Sequence, residues 1–228
     1  MTLPTNTTKT TKTTKTLVTL LLDRSGSMQA VKDDTLAALN GYLAELRQTE
    51  ADIRFSLVLF DSHRHGLDLE RVVVGEKVAK VRDLGPEDFR PRGSTPLIDA
   101  ACSTIQAVEE SLGALKTTPN VVIAIQTDGM ENASREFRWD DLKALIARKE
   151  AQGWQFVFMG CGIDAYDQGR RMGLREDRVV SYGRERETTR AAFSAHARRT
   201  KDLAEGASAE IAFSPAEKEA AGDRWRKG

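Results

Sequence analysis

The run Leu17-Val18-Thr19-Leu20-Leu21-Leu22 ends directly on Asp23, and Arg24-Ser25-Gly26-Ser27 follows at once. A short, nearly unbroken apolar run without alternation predicts a strand buried on both faces. Such a strand needs a layer of structure on each side. An acid and two hydroxyl residues at its carboxyl end, around a glycine that lets the turn close, place polar chemistry at the sheet's edge.

Further runs predict strands over 53–60, 69–74, 121–125, 154–159 and 178–181. Helical spacing appears between them. Val31, Leu36, Leu39, Leu43 and Leu46 mark a helix over 29–48, and Leu97, Ile98, Ala101, Ile105 and Val108 mark one over 96–112. Leu142, Leu145 and Ile146 mark a third, with Asp140 and Asp141 near its positive end, and 165–172 reads as a short fourth. Strands alternating with helices predict an α/β fold: a doubly wound, mostly parallel six-stranded sheet with helices on both faces. Strands two and three lie too close for a helical crossover, so the third is expected as an antiparallel edge strand.

The chain divides into three parts. Residues 1–16 are nearly all Thr, Lys, Asn and Pro and are expected to be a disordered tail. Residues 17–183 carry the α/β pattern. Residues 184–228 are charged, with few large apolar residues, and read as a helical extension with helices over about 186–204 and from about 214. Lys plus Arg equals Asp plus Glu at 34 each, so the chain as a whole has no bias toward nucleic acid or anionic membrane. No apolar run is long enough to span a membrane, and the N-terminus lacks the apolar core of a secretion signal. Two cysteines, Cys102 and Cys161, make no disulfide framework, so a reduced, cytoplasmic protein is expected. The Asn6 sequon would then stay unmodified.

Two more segments share the chemistry of the first turn. Gly93-Ser94-Thr95-Pro96 precedes the second helix and leaves Thr95 as a loop hydroxyl. Thr127-Asp128-Gly129 closes the fourth strand. If strands one and four are neighbours at the point where strand order reverses, Asp23 and Asp128 reach one crevice. Asp23, Ser25, Ser27, Thr95 and Asp128 are all hard oxygen donors, the chemistry of Mg²⁺ or Mn²⁺, with Ca²⁺ not separated from them. Ser27 alone could equally be a helix cap.

These segments, in this order, resemble the von Willebrand factor A family and its metal-ion-dependent adhesion site, Asp-x-Ser-x-Ser followed by a distant Thr and a distant Asp. The resemblance covers about residues 17–183. Residues 127–136 and 159–165 look like a subgroup of small stand-alone bacterial members. The resemblance implies that Asp23, Ser25 and Ser27 ligate metal, and that Thr95 and Asp128 do so directly or through water. It implies a partner protein offering Asp or Glu to the metal, and a chain that is monomeric alone. Gly26, Gly129, Glu131 and Asn132 are candidates to orient the metal loops. Glu131 and Asn132, with Ser134 and Arg135, could equally cap the next helix.

Other readings compete. A dehalogenase-type phosphatase would use Asp23 as nucleophile but needs an acid where Ser25 stands. Neither serine has the glycine pattern of a hydrolase elbow. His63 and His65 with Asp61 could hold a transition metal, though a solvated hairpin turn explains them more simply. Cys102 and Cys161 could pair, or be two buried thiols. Arg184, Arg186, Arg190, Arg198, Arg199 and Lys201 could form a nucleic-acid surface, but Phe193 is the only aromatic among them, so nucleic acid is not expected. A non-enzymatic, metal-dependent binding module is the preferred reading over a metal-dependent hydrolase or a nucleic-acid adaptor.

Overall fold

A computed structural model describes residues 15–63, 66–113 and 118–225. Six strands run in chain order: β1 (Thr16–Asp23), β2 (Ile53–His63), β3 (Gly66–Lys77), β4 (Asn120–Thr127), β5 (Gln155–Cys161) and β6 (Val179–Tyr182). Among the described residues six α-helices accompany them: α1 (Lys32–Leu46), α2 (Leu97–Leu112), α3 (Trp139–Glu150), α4 (Ala165–Met172), α5 (Arg186–Ala204) and α6 (Pro215–Ala220).

The strands form one sheet in the order β3-β2-β1-β4-β5-β6. All neighbours are parallel except β2 and β3, which pair antiparallel at the edge. The fold is therefore the expected doubly wound sheet with its one antiparallel edge strand. Its order reverses between β1 and β4, and that reversal opens a crevice beyond their carboxyl ends.

Each strand serves two cores. On β1, Val18, Leu20 and Leu22 join the apolar cluster under α1 and α5, while Leu21 joins the cluster under α2, α3 and α4. Leu21 and Leu22 are fully buried, worth about 1.5–3 kcal/mol each relative to exposure. This two-sided demand is why the run shows no alternation.

Two differences from the sequence reading have local causes. The first helix begins later than expected, because 3₁₀ turns occupy Gly26–Val31. There the Gly26 N–H is drawn to Gly93 O at 3.1 Å, and the Met28 N–H donates to Ser25 O. The hairpin strands run beyond their apolar stretches, to His63 and from Gly66, since antiparallel backbone pairing continues where the side chains turn polar. Helix α5 spans the expected residues and is packed on the domain. Ala192, Phe193, Ala195, His196 and Ala197 are buried, and His196 stacks on Tyr42 of α1 with ring centroids 5.0 Å apart. Small alanines let the helices approach closely, so a helix with few large apolar residues still closes one face of the sheet.

Most of the tail expected over 1–16, with the Asn6 sequon, lies outside the described residues, as does His65.

Candidate metal centre

Asp23 is the last residue of β1 and Asp128 immediately follows β4. Adjacent parallel strands bring the two to one point although 104 positions separate Thr127 from Asp23, whose side chains meet: Thr127 Oγ1 donates to Asp23 Oδ2 at 2.5 Å. The other Asp23 oxygen accepts from the Ser25 N–H at 2.6 Å. Ser25 Oγ and Ser27 Oγ lie 3.1 Å apart, and Ser27 Oγ donates to Asp128 Oδ1 at 2.5 Å. Neither serine hydroxyl caps the turn that follows, so the capping explanation of Ser27 gives way to its contact with Asp128.

Thr95 arrives from the loop before α2. That loop is pinned to the hairpin, where the Ser62 N–H donates to Ser94 O at 3.0 Å. Gly93 makes this approach possible. Its φ is +69°, and a Cβ there would stand 2.0 Å from Ser62 O, a backbone clash with no remedy. Asn132 then fixes Thr95 from the other side: the Thr95 N–H donates to Asn132 Oδ1 at 3.0 Å, and the Asn132 N–H to Thr95 O at 3.1 Å. Gly129 lines the centre. A Cβ on it would lie 3.2 Å from Thr95 Oγ1, 3.8 Å from Ser27 Oγ and 3.9 Å from Asp23 Oδ2. The structure thus brings Asp23, Ser25, Ser27, Thr95 and Asp128 around one small space, with Gly129 as its floor. Gly26 contributes through its backbone bond to Gly93.

Glu131 does not point into this space. Its Oε1 accepts from the N–H groups of Ala133 and Ser134, and its Oε2 from the Ile98 N–H and the Ser134 hydroxyl. It ties the loop after β4 to the first turn of α2. Asp99 makes the reciprocal tie and was not foreseen: its carboxylate accepts from the N–H groups of Arg135, Glu136 and Phe137. From sequence it reads as an acid in a helix's first turn, where a favourable dipole contact explains it fully. Thr127, lying within a recognised motif, likewise had no assigned role.

Burial sets the electrostatics. Asp23 is pushed up to about 6, chiefly by loss of solvent, against the hydrogen bonds from Thr127 and Ser25 that favour its charged form; the nearby Asp128 adds a smaller push upward. Asp128 is raised too, again by burial first, opposed by Ser27 and by the Arg184 guanidinium. Its Oδ2 is buried and has no hydrogen-bond partner among the described residues. Two desolvated carboxylates, with only the half-exposed Arg184 guanidinium near one of them at 3.5 Å, form a place where a cation would be favoured.

The competing clusters are resolved differently. Among the described residues, no group of three or more His, Cys, Asp or Glu side chains is arranged to hold a metal. Asp61 spends its Oδ2 on Arg24 and Arg92 at 2.8 and 3.0 Å, which staples the Arg24 turn to β2, and His63 is exposed. Cys102 and Cys161 belong to opposite cores of the sheet, and burial pushes both thiols up to about 12. They are two separate, buried thiols, each held in its protonated form by burial.

No protein-family model matches the chain, and no curated protein is similar to it in sequence. Solved structures are similar in fold. One is the proximal thread matrix protein 1 of the mussel byssus with a zinc-occupied metal-ion-dependent adhesion site: 13% identity, TM-score 0.54, over 86% of this chain and 46% of that one. Another is a von Willebrand factor type A protein from Catenulispora acidiphila: 15% identity, TM-score 0.52, over 82% and 43%. A third is the manganese-loaded TRAP protein of Plasmodium vivax: 15% identity, TM-score 0.54, over 75% and 69%. The chain spans under half the length of the first two. Its fold is that of the von Willebrand factor A domain. Among the described residues no helix is long and apolar enough to cross a membrane.

Proposed function

We propose that this chain is a divalent-metal-dependent protein-binding module. Asp23, Ser25, Ser27, Thr95 and Asp128 would hold Mg²⁺ or Mn²⁺ (Ca²⁺ is the alternative), and an Asp or Glu side chain of a partner protein would complete the site. The observation that carries this reading is the convergence of five oxygen-bearing side chains from three loops on one small space over Gly129, where Asp128 Oδ2 is buried without a hydrogen bond among the described residues. When bound, the ion would supply a Lewis-acidic position for an anionic ligand.

The residues set the selectivity. Two aspartates roughly neutralise a divalent ion, and the three hydroxyls add dipoles without charge, so a further carboxylate is welcome. Ser27 is exposed while Asp23, Ser25, Thr95 and Asp128 are buried, which leaves one open side. Met130, two residues after Asp128, is exposed and would offer an apolar contact to a partner's surface. The metal-loaded state of two solved structures of the same fold is in keeping with this role.

A non-enzymatic module fits the surroundings. Hydrolysis would need a general base near the open position. His63 lies exposed on the hairpin and His196 is buried between α1 and α5, while both Glu131 oxygens are already taken up by four donors. Nor does the basic segment resemble a nucleic-acid face: Arg186 pairs with Asp34 at 2.8 Å, and Arg198 and Arg199 with Glu217. We further read residues 17–183 as the binding domain and 184–228 as an extension braced against it, acting as a monomer in the reducing cytoplasm, where the free thiols of Cys102 and Cys161 would persist.

The test is capture of partner proteins from lysate by immobilised protein, with Mg²⁺ or with chelator, for wild type, Asp23→Ala and Thr95→Ala. Partners retained only by metal-loaded wild type support the reading. Equal retention with chelator, or by both variants, removes it.

A further inference from the structure

Arg184 follows β6, yet its side chain reaches the centre built from β1 and β4: its terminal nitrogen lies 3.5 Å from the orphaned Asp128 Oδ2. To get there it crosses the end of β5 over Gly162. A Cβ at Gly162 would stand 2.5 Å from Arg184 Nε and 2.9 Å from its Cγ. The arginine lies along bare glycine backbone, and only a residue without a side chain leaves it that path. Gly162 also has a φ of +66°, a conformation that L side chains rarely adopt.

The anchorage is firm at both ends. The Gly162 N–H donates to Tyr182 O at 2.7 Å, and the Gly183 N–H to Ala221 O at 3.1 Å, just beyond α6. Backbone bonds therefore hold the arginine's base against β5 and the C-terminal segment, while its side chain is about half exposed at 49%. Among the described residues its guanidinium makes the Asp128 ion pair and no hydrogen bond. A guanidinium carries five donors in a planar fork, and one long ion pair leaves that fork unspent.

We infer that Arg184 is a second anchor for the ligand's carboxylate, which the site grips through the fork as well as through the ion. This rests on the metal-binding reading above. Charge gives it direction. With an ion held by Asp128, Arg184 would be a second cation beside the first, and the two repel. An incoming carboxylate relieves that repulsion and fills the fork with charge-assisted bonds. Arg184 should thus oppose metal binding slightly and favour anion binding strongly. The two effects have opposite signs, so a general loosening of the site would not reproduce them.

The experiment titrates Mn²⁺ into the full chain by electron paramagnetic resonance. It then titrates acetate into the Mn²⁺-loaded protein at constant ionic strength, following water-proton relaxation. For Arg184→Gln, Mn²⁺ affinity should be unchanged or tighter, and acetate affinity lower by about fivefold or more. Gly162→Ala, which displaces the arginine without removing it, should give the same acetate loss; circular dichroism melting checks that both variants fold. Acetate affinity within twofold of wild type in Arg184→Gln overturns the assignment while leaving the metal site standing. Acetate binding to metal-free wild type that depends on Arg184 also overturns it, since the fork would then act alone. Absence of saturable Mn²⁺ binding in wild type overturns the proposed function and this inference together.

Discussion

The Ser27 hydroxyl donates to Asp128 Oδ1 at 2.5 Å, across 101 positions of sequence. The contact exists because β1 and β4 are neighbours, and it joins the exposed rim of the centre to its buried acid. Ser27→Ala should lower Mn²⁺ affinity by at least about tenfold. Because Ser27 is exposed, the metal-free protein should lose no more than about 1 kcal/mol in urea unfolding. A variant that binds Mn²⁺ like wild type would remove Ser27 from the ligand set.

Asp99 is buried and gathers three backbone N–H groups of the loop after β4. Asp99→Ala leaves those donors without their acceptor and should cost about 2–3 kcal/mol by denaturant unfolding. Amide hydrogen exchange at Arg135, Glu136 and Phe137 should accelerate more than exchange on β4. Unchanged exchange there would mean that the loop is held by other contacts.

Glu131 separates binding module from enzyme. With four donors on its two oxygens, it is a loop tie rather than a base. Glu131→Gln should lower the melting temperature and weaken Mn²⁺ binding only modestly. Phosphatase, nuclease and protease assays should stay blank with wild type and variant alike. Metal-dependent turnover in wild type that vanishes in Glu131→Gln would move the protein into the hydrolase class.

His196 gives a pH signature remote from the proposed metal centre. Its ring is fully buried, both nitrogens lack hydrogen-bond partners among the described residues, and burial pushes it down to about 3 from 6.5. Between those values the unfolded chain takes up a proton that the folded one refuses, so this contribution to stability is lost as pH falls below 6.5. From pH 7.5 to pH 5 the loss is about 2 kcal/mol, at about 1.4 kcal/mol per unit. His196→Phe should show a smaller drop over the same interval, each protein being compared with itself in urea unfolding. Equal drops would show that the unfolded-state protonation of His196 is not what weakens the fold in acid.

Much of the architecture is local information. Leu17 to Leu22 had to be a strand buried on both faces, because no alternation separates an inner from an outer side, and the short gap before 69–74 required a hairpin. The segments of the proposed metal site were legible for the same reason: a turn with Asp23, Ser25 and Ser27 is a local pattern, as are the Thr95 and Asp128 turns. What sequence alone left open was every relationship that crosses the sheet. Glu131 could be read as a loop tie or as a helix cap until Ile98 was seen to donate to it. Asp99 had no assigned role, and Arg184 was one charge in a basic run. Helix α5 seemed polar because its buried face is built mostly from alanines, threonines and His196, with Phe193 and Leu203 its large apolar side chains. A strand or turn is specified by its own neighbours in the chain. Whether Arg184 meets Asp128 depends on strand order, on the bare backbone at Gly162 and on where β6 ends, and only the folded sheet fixes all three.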